Sequence, residues 1–275
     1  MMNSCLRREE ECNMNEIGIT ILGMALIFVA TTLGASLVYL FKKDLSPKLN
    51  TVLLGFAGGV MIAASIWSLL LPSIEKSASM GNWKFVPAVG GFLVGGLFMV
   101  LVDKLVPHFH AGTGEEEGVR SSLSKSSKMF LAMTIHNVPE GLAVGFAFGG
   151  AAIIGGQEAF LAALGLAIGI AIQNFPEGAA VALPMASQTG SKHKAFLYGM
   201  FSGLVEPIAA IGGYFLATAL SAAMPWLLSF AAGAMIFVVV EDLIPDAHLA
   251  EHPHLGTWGI MAGFAIMMVL DVALG

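Results

Sequence analysis

Long apolar segments alternate with short polar breaks along the whole 275-residue chain. An α-helix needs about 20 mainly apolar residues to cross a bilayer. Eight segments meet that requirement, at residues 17–41, 51–73, 85–107, 129–150, 158–186, 195–221, 226–245 and 256–274. The pattern predicts an all-α, polytopic membrane protein with eight transmembrane helices.

Composition supports this prediction and narrows the class of protein. Hydrophobic residues make up 56% of the chain and charged residues 12%, against about 25% charged in a typical soluble domain. We expect one transmembrane domain over residues 1–275, with a polar tail at 1–16 and a polar loop at 108–128. The sequence has no basic patch of the kind that binds nucleic acid, so we expect no nucleic-acid partner. We also expect no organic cofactor. Cys5 and Cys12 both lie in the tail, so thiolates cannot be ligands inside the membrane.

The distribution of basic residues predicts the orientation. Nine of the 13 Lys and Arg residues lie in or beside the loops after the first, third and fifth segments, and the other four in the N-terminal tail and the loop after the second. Because Lys and Arg are enriched in cytoplasmic loops, both termini should be extracytoplasmic. Loop 108–128 should be cytoplasmic, in a multi-pass protein of the cell (inner) membrane.

A six-residue pattern occurs twice, on the fourth and fifth segments. Residues 136–141 (the first hexapeptide) read His-Asn-Val-Pro-Glu-Gly, and residues 173–178 (the second hexapeptide) read Gln-Asn-Phe-Pro-Glu-Gly. Helical positions i, i+3 and i+4 share a face, so the polar side chains of each copy point the same way. Pro139 and Pro176 cannot donate a backbone hydrogen bond, and we expect each to kink its helix. A charged residue at the bilayer centre costs about 2.5–3.5 kcal/mol even on the mildest scale, so these copies predict a site.

A third glutamate, Glu206, lies within the sixth segment. No Lys or Arg occurs between Lys128 and Lys192 or after Lys194, so no basic residue on the later spans can neutralise the three carboxylates. Buried carboxylates without such partners take up protons or bind a cation. The alternative is that the polar side chains only hydrogen-bond helices together, which explains an amide better than three glutamates.

One imidazole, three carboxylates and three amides suit a divalent cation. The predicted ligands are His136, Asn137, Glu140, Gln173, Asn174, Glu177 and Glu206. Imidazole favours zinc or iron over calcium and magnesium. These side chains exceed what one tetrahedral ion needs, so two adjacent ions bridged by Glu140 and Glu177 are our hypothesis.

Polar residues near the segment ends are weaker candidates for a metal pathway or a secondary metal site. They are Met61, Ser68, Glu75, Glu241, Asp242 and Asp271. Ordinary interface charges explain the four carboxylates about as well. For Met61 and Ser68, core packing and a hydroxyl bonded to its own backbone are the preferred interpretation. In loop 108–128, His108, His110 and Glu115 permit a metal-sensing role, although a solvated linker is the preferred interpretation. His248, His252 and His254 follow the seventh segment.

Taken together, the two hexapeptides resemble those of the ZIP (Zrt/Irt-like) metal transporters, and the second resembles the GufA-type prokaryotic branch. The resemblance covers nearly the whole chain. It implies a 3+2+3 helix arrangement, with segments 1–3 and 6–8 related by inverted pseudo-symmetry around segments 4 and 5. It also implies a binuclear site made of the seven predicted ligands, a homodimer, and movement of one helix bundle against the other. Many family members have His at the position of Gln173, so the second ion should differ in strength or metal preference.

The main hypothesis is that the protein is not an enzyme but carries Zn²⁺ into the cytoplasm, with Fe²⁺, Mn²⁺ and Cd²⁺ as further candidate substrates. One alternative is a metal-gated cation channel or a cation receptor. The other is an intramembrane metallohydrolase, which is disfavoured because the chain has no His-Glu-x-x-His motif and its ligands leave no evident open position.

Overall fold

A computed structural model describes residues 2–41, 45–109, 116–247 and 252–274. Among these residues, eight helices are long and apolar enough to cross a membrane, which confirms the predicted number. They are α1 (Asn15–Tyr39), α2 (Pro47–Lys76), α3 (Phe85–Leu105), α4 (Lys125–Ile154), α5 (Gln157–Thr189), α6 (Lys192–Ala219), α7 (Ser221–Leu243) and α8 (Pro253–Leu274). Most extend beyond the predicted bounds because the helical backbone continues into the polar flanks.

The predicted tail and loop are partly structured. The first α-helix runs from Met2 to Ser36 and ends in a 3-10 turn at Leu37–Tyr39, so its backbone includes most of the predicted tail. After α3, β1 (His108–Phe109) pairs antiparallel with β2 (Glu116–Glu117). The side chains of Cys5 and Cys12, and residues His110, Glu115 and His248, lie outside the part of the chain that the structure describes.

Two membrane helices contain a π-helical turn. In α2, α-helix Pro47–Ala64 passes through a π turn at Ser65–Leu70 into α-helix Leu71–Lys76. In α7, a 3-10 turn and α-helix Met224–Val238 precede a π turn at Val239–Leu243. Each π turn is followed by Leu71-Pro72 or Ile244-Pro245. Single π turns often occur at functional sites, and both of these contain predicted pathway residues.

The prolines of the hexapeptides do not interrupt their helices. The α-helix is continuous through Pro139 in α4 and through Pro176 in α5. Instead, α6 is divided at Leu204 into Lys192–Gly203 and Val205–Ala219. Pro207 cannot donate to the carbonyl of Gly203, the last residue of the first half, so the break coincides with a missing hydrogen bond. It leaves Glu206 in the first turn of the second half.

Helix packing divides into four extensive pairs: α1 with α5, α4 with α6, α2 with α8, and α3 with α7. Exchanging α1–α3 for α6–α8, and α4 for α5, maps this set of pairs onto itself. That exchange is the one an inverted repeat requires. The 3+2+3 grouping itself stays a prediction, and these pairings are consistent with it.

Close approaches between glycines and backbone carbonyls follow the same exchange. At each of these glycines, a Cβ atom would overlap a carbonyl oxygen of the paired helix. Each contact in one half has a counterpart in the other half. Gly59 meets Ile260 as Gly233 meets Phe92; Gly263 meets Phe56 as Gly95 meets Phe230; Gly259 meets Val52 as Gly91 meets Trp226; and Gly178 meets Thr31 as Gly141 meets Glu206. Small residues allow membrane helices to approach closely. These contacts therefore give a residue-by-residue correspondence between the two halves.

Candidate metal centre

The two hexapeptides, on α4 and α5, lie side by side in the interior, where α6 and α1 pack against them. Six of the seven predicted ligands have at most 4% of their surface exposed: Asn137, Glu140, Gln173, Asn174, Glu177 and Glu206. The seventh, His136, has a side chain that is 16% exposed. The structure therefore brings carboxylates and amides from three helices into one buried cluster.

A chain of hydrogen bonds joins the carboxylate of α4 to that of α6. Gln173 Nε2 donates to Glu140 Oε1 at 2.7 Å and also contacts Asn174 Oδ1. Asn174 Nδ2 donates in turn to Glu206 Oε2 at 2.7 Å. The Glu206 Oε1 atom accepts from Thr31 Oγ1, also at 2.7 Å. The two amides of the second hexapeptide therefore bridge Glu140 and Glu206.

The asparagines of the two hexapeptides make equivalent contacts with backbone carbonyls. Asn137 Nδ2 donates to the carbonyl of Ser202 on α6 at 3.1 Å. Asn174 Nδ2 lies 3.5 Å from the carbonyl of Ile27 on α1. Ser202 and Ile27 lie four residues before Glu206 and Thr31, whose carbonyls meet Gly141 and Gly178. The site therefore follows the same inverted correspondence as the rest of the fold.

Four buried oxygens in the cluster have no hydrogen-bond partner among the described residues: Asn137 Oδ1, Glu140 Oε2, Gln173 Oε1 and Glu177 Oε1. A buried polar atom left without a partner is costly, and native proteins pair the great majority of such atoms. Moreover, ionised carboxylates at Glu140 and Glu206 would repel an ionised Glu177. Orphaned acceptors beside repelling carboxylates form an environment that a cation would stabilise.

The imidazole of His136 contacts α7. Its Nε2 atom lies 2.9 Å from Asp242 Oδ2, and Asp242 is almost fully buried. Asp242 belongs to the π turn of α7, whereas its neighbour Glu241 is exposed. Of these two predicted pathway residues, therefore, only Asp242 reaches the site.

In this conformation, no three His, Cys, Asp or Glu side chains of the described residues converge closely enough to hold an ion by themselves. A cation at the cluster would need amide oxygens as ligands, or would need His136 to turn away from Asp242. Amides are weak ligands, and the second route requires His136 to leave its present partner. Both routes are therefore consistent with an exchangeable ion rather than a structural one.

Among the described residues, no hydrogen bond joins the other predicted pathway residues to the cluster. Ser68, in the π turn of α2, donates from Oγ to Asp271 Oδ1 on α8 at 2.6 Å. Met61 is fully buried, and its backbone carbonyl accepts from Ser65 Oγ at 2.8 Å. Glu75 is exposed at the end of α2. Ser68 and Asp271 therefore form a pair, and Glu75 remains an isolated surface carboxylate within the described chain.

Two features of the cluster escaped prediction from the sequence. Thr31 binds Glu206 from 175 positions away, and the carbonyls of Ile27 and Ser202 receive the asparagine amides. The inverted repeat is the signal that could have indicated them, since it makes α1 the structural counterpart of α6.

The sequence matches a known family of proteins over most of its length. The family model described as "ZIP Zinc transporter" matches residues 17–130 and 127–271. "Zinc transporter ZIPB" of Bordetella bronchiseptica is 38% identical, over 96% of this chain and 84% of that protein. "Zinc transporter GufA" of Myxococcus xanthus is 35% identical, over 94% of this chain and all of that protein. Human "Zinc transporter ZIP11" is 35% identical, over 93% and 97% respectively.

These matches extend across all eight membrane helices and include both hexapeptides. They agree with the helical fold and its eight helices long and apolar enough to span a membrane. The chain therefore belongs to the ZIP family of zinc transporters.

Proposed function

We propose that this protein carries divalent cations, chiefly Zn²⁺, into the cytoplasm through a binuclear site between α4, α5 and α6. Membership of a family of zinc transporters supports metal transport, and the relatives named above are described as zinc transporters. Members of this family are transporters rather than enzymes. The observation that carries the proposal is the set of four buried oxygens without donors, next to three carboxylates.

The hydrogen-bond chain suggests how a cation would enter. In the described conformation, the amide N–H groups of Gln173 and Asn174 occupy Glu140 Oε1 and Glu206 Oε2. If both amides rotated, their oxygens would replace their nitrogens in the cluster and would become ligands together with the carboxylates. In the proposed site, Glu140 and Glu177 bridge two ions, with His136 and Asn137 on one side and Gln173, Asn174 and Glu206 contributing to the other.

Helix packing supports alternating access. In one half of the inverted repeat, Gly169 and Gly165 of α5 meet Met267 and Leu274 of α8. Among the described residues, the corresponding helices α4 and α3 share no interface of comparable extent, and β1 packs against α4 instead. By the orientation from the basic residues, the closed α5–α8 side is extracytoplasmic. The asymmetry is that expected of a conformation open to the cytoplasm.

Asp242 is the proposed first residue of the exit path. It lies 2.9 Å from the one imidazole of the proposed site, and it belongs to the helix end that should face the cytoplasm. An ion leaving His136 would meet this carboxylate next. Ser68 and Asp271 are the corresponding candidates on the extracytoplasmic side, because they are paired across α2 and α8.

Metal flux in proteoliposomes tests the proposal. Wild-type protein should carry Zn²⁺ in a saturable manner, with Fe²⁺, Mn²⁺ and Cd²⁺ as competitors of graded strength. Glu140→Gln and Glu177→Gln should abolish this flux, whereas Glu158→Gln, an exposed carboxylate in the first turn of α5, should leave it unchanged. Undiminished zinc flux in a folded Glu140→Gln, Glu177→Gln double variant would overturn the proposal. Single-channel currents would favour the channel alternative.

Two other measurements test the remaining expectations. We propose that both termini are extracytoplasmic and that the protein is a homodimer in the cell membrane. Protease or biotin accessibility of tagged termini in intact cells checks the orientation. Mass measurement of the purified protein in detergent or nanodiscs checks the dimer.

A further inference from the structure

The inverted repeat identifies the residue of α1 that corresponds to Glu206 of α6. Gly141 of the first hexapeptide meets the carbonyl of Glu206, and Gly178 of the second hexapeptide meets the carbonyl of Thr31. These two glycines are the last residues of the duplicated hexapeptides. Thr31 and Glu206 therefore occupy the same position relative to α5 and α4.

Two further pairs of residues fit this correspondence. The carbonyls of Ile27 and Ser202, each four residues earlier, receive the amides of Asn174 and Asn137. One turn later, Ala35 and Ala210 are both fully buried. The same offset of 175 residues relates all three pairs, so Thr31 is assigned by equivalent contacts before it and by equivalent burial after it.

The correspondence has a chemical consequence, because α6 supplies a carboxylate where α1 supplies a hydroxyl. Thr31 is 1% exposed, and its Oγ1 atom lies 2.7 Å from Glu206 Oε1 and 3.1 Å from the carbonyl of Ile27. A threonine in a helix commonly bonds only to its own backbone, four residues earlier. Here the shorter contact is with the carboxylate on another helix.

Glu206 is thereby held from both sides. Thr31 binds one oxygen of its carboxylate and Asn174 binds the other, both at 2.7 Å. Gly203 allows this approach, because a Cβ atom there would meet the Thr31 side chain. With Asn174 free to turn its amide towards an ion, Thr31 would be the contact that keeps the carboxylate in place.

We propose that Thr31 is a positioning residue of the cation site, which orients Glu206 through its hydroxyl group. This inference rests on the proposed function, because it assigns Thr31 to the same site. Thr31 does not itself bind the ion. It fixes the orientation of the only ligand that α6 supplies, and it keeps the number of carboxylates at three where a symmetrical site would have four.

Zinc binding to purified protein in detergent tests this role without depending on transport. Thr31→Val removes the hydroxyl and keeps the shape, whereas Thr31→Ser keeps the hydroxyl. We expect zinc binding to weaken about tenfold in Thr31→Val, the effect of losing one hydrogen bond to a charged group. Thr31→Ser should bind as wild type does. Thr20→Val is the matched control on the same helix, since Thr20 bonds only to its own backbone at Glu16.

A double-variant cycle shows whether Thr31 acts through Glu206. Thr31→Val should add nothing to the loss that Glu206→Ala causes alone. Wild-type zinc binding in Thr31→Val, or an equal loss with and without Glu206, would overturn the inference and leave the site itself intact. Wild-type zinc binding in Glu206→Ala would instead overturn the proposed site. Thr31→Ala, which also lacks the hydroxyl, replaces Thr31→Val if that variant fails to fold.

Discussion

Glu206→Gln separates the charge of the α6 ligand from its hydrogen bonds. The carboxylate accepts from Thr31 Oγ1 and Asn174 Nδ2, both at 2.7 Å. A glutamine can direct its oxygen at Asn174 and its amide N–H at the threonine hydroxyl. Thr31 then turns its own proton to the carbonyl of Ile27, 3.1 Å away. Every partner remains satisfied, so the substitution should change the charge of the cluster and little else.

The two states of the protein should respond in opposite directions. Without metal, an ionised Glu206 would repel ionised Glu140 and Glu177, so a neutral amide should leave the metal-free protein equally or more stable. With metal, the ion loses one buried charged partner. Breaking such a pair costs about 3–5 kcal/mol, which weakens zinc binding by a factor of about 10² to 4 × 10³.

Thermal unfolding in detergent, with and without Zn²⁺, measures both effects. At a zinc concentration 100 times the wild-type Kd, binding stabilises the wild-type protein by about 2.7 kcal/mol. If the Kd of the variant is 100-fold higher, the same zinc concentration stabilises it by only about 0.4 kcal/mol. Glu158→Gln is the control for loss of an exposed charge.

Either half of the result can refute the reasoning. If Glu206→Gln keeps the full zinc-induced rise in Tm, Glu206 is not a ligand. If the metal-free variant unfolds at a clearly lower temperature than the wild type, the hydrogen bonds do not rearrange as described.

Two further substitutions test the packing and the exit path. Gly178→Ala should lower stability by about 1–3 kcal/mol in thermal unfolding, because its Cβ would overlap a backbone carbonyl of α1. Gly18→Ala, where the added carbon meets nothing, should not, and equal losses at both glycines would contradict the packing argument. Asp242→Asn should slow zinc flux at least tenfold by removing the carboxylate beside His136, while the exposed Glu241→Gln should not. Equal flux in both variants and wild type would exclude Asp242 from the pathway.

The eight membrane helices could be predicted because an uninterrupted apolar segment of this length has few alternatives to spanning a bilayer. The clustering of the two hexapeptides could also be predicted, since carboxylates in such segments need a compensating partner. The helix ends could not. Lys125, for example, begins α4 four residues before the predicted start, because helical backbone hydrogen bonds continue beyond the apolar segment.

The effect of the prolines depended on packing that the sequence does not give. Pro139 and Pro176 lie in helices that continue past them, whereas α6 breaks just before Pro207. All three lack the same backbone donor. Whether a helix tolerates that loss depends on its neighbours, and α4 and α5 are, with α2, the most enclosed of the described membrane helices.

The role of Thr31 could not be predicted from its local sequence. A threonine in an apolar helix usually bonds to its own backbone, and nothing near Thr31 distinguishes it from Thr32. The relevant information is distributed over both halves of the chain. For example, Gly91 and Gly95 on α3 make the same contacts as Gly259 and Gly263 on α8. Such matching contacts, which relate the two halves residue by residue, are seen in the structure.

Zinc-edge anomalous diffraction from crystals of the wild-type protein grown with Zn²⁺ would test the central claim most directly. Two anomalous peaks are expected between α4, α5 and α6, both within bonding distance of Glu140 or Glu177 carboxylate oxygens. Peaks confined to surface carboxylates such as Glu75, with none at the buried cluster, would contradict it.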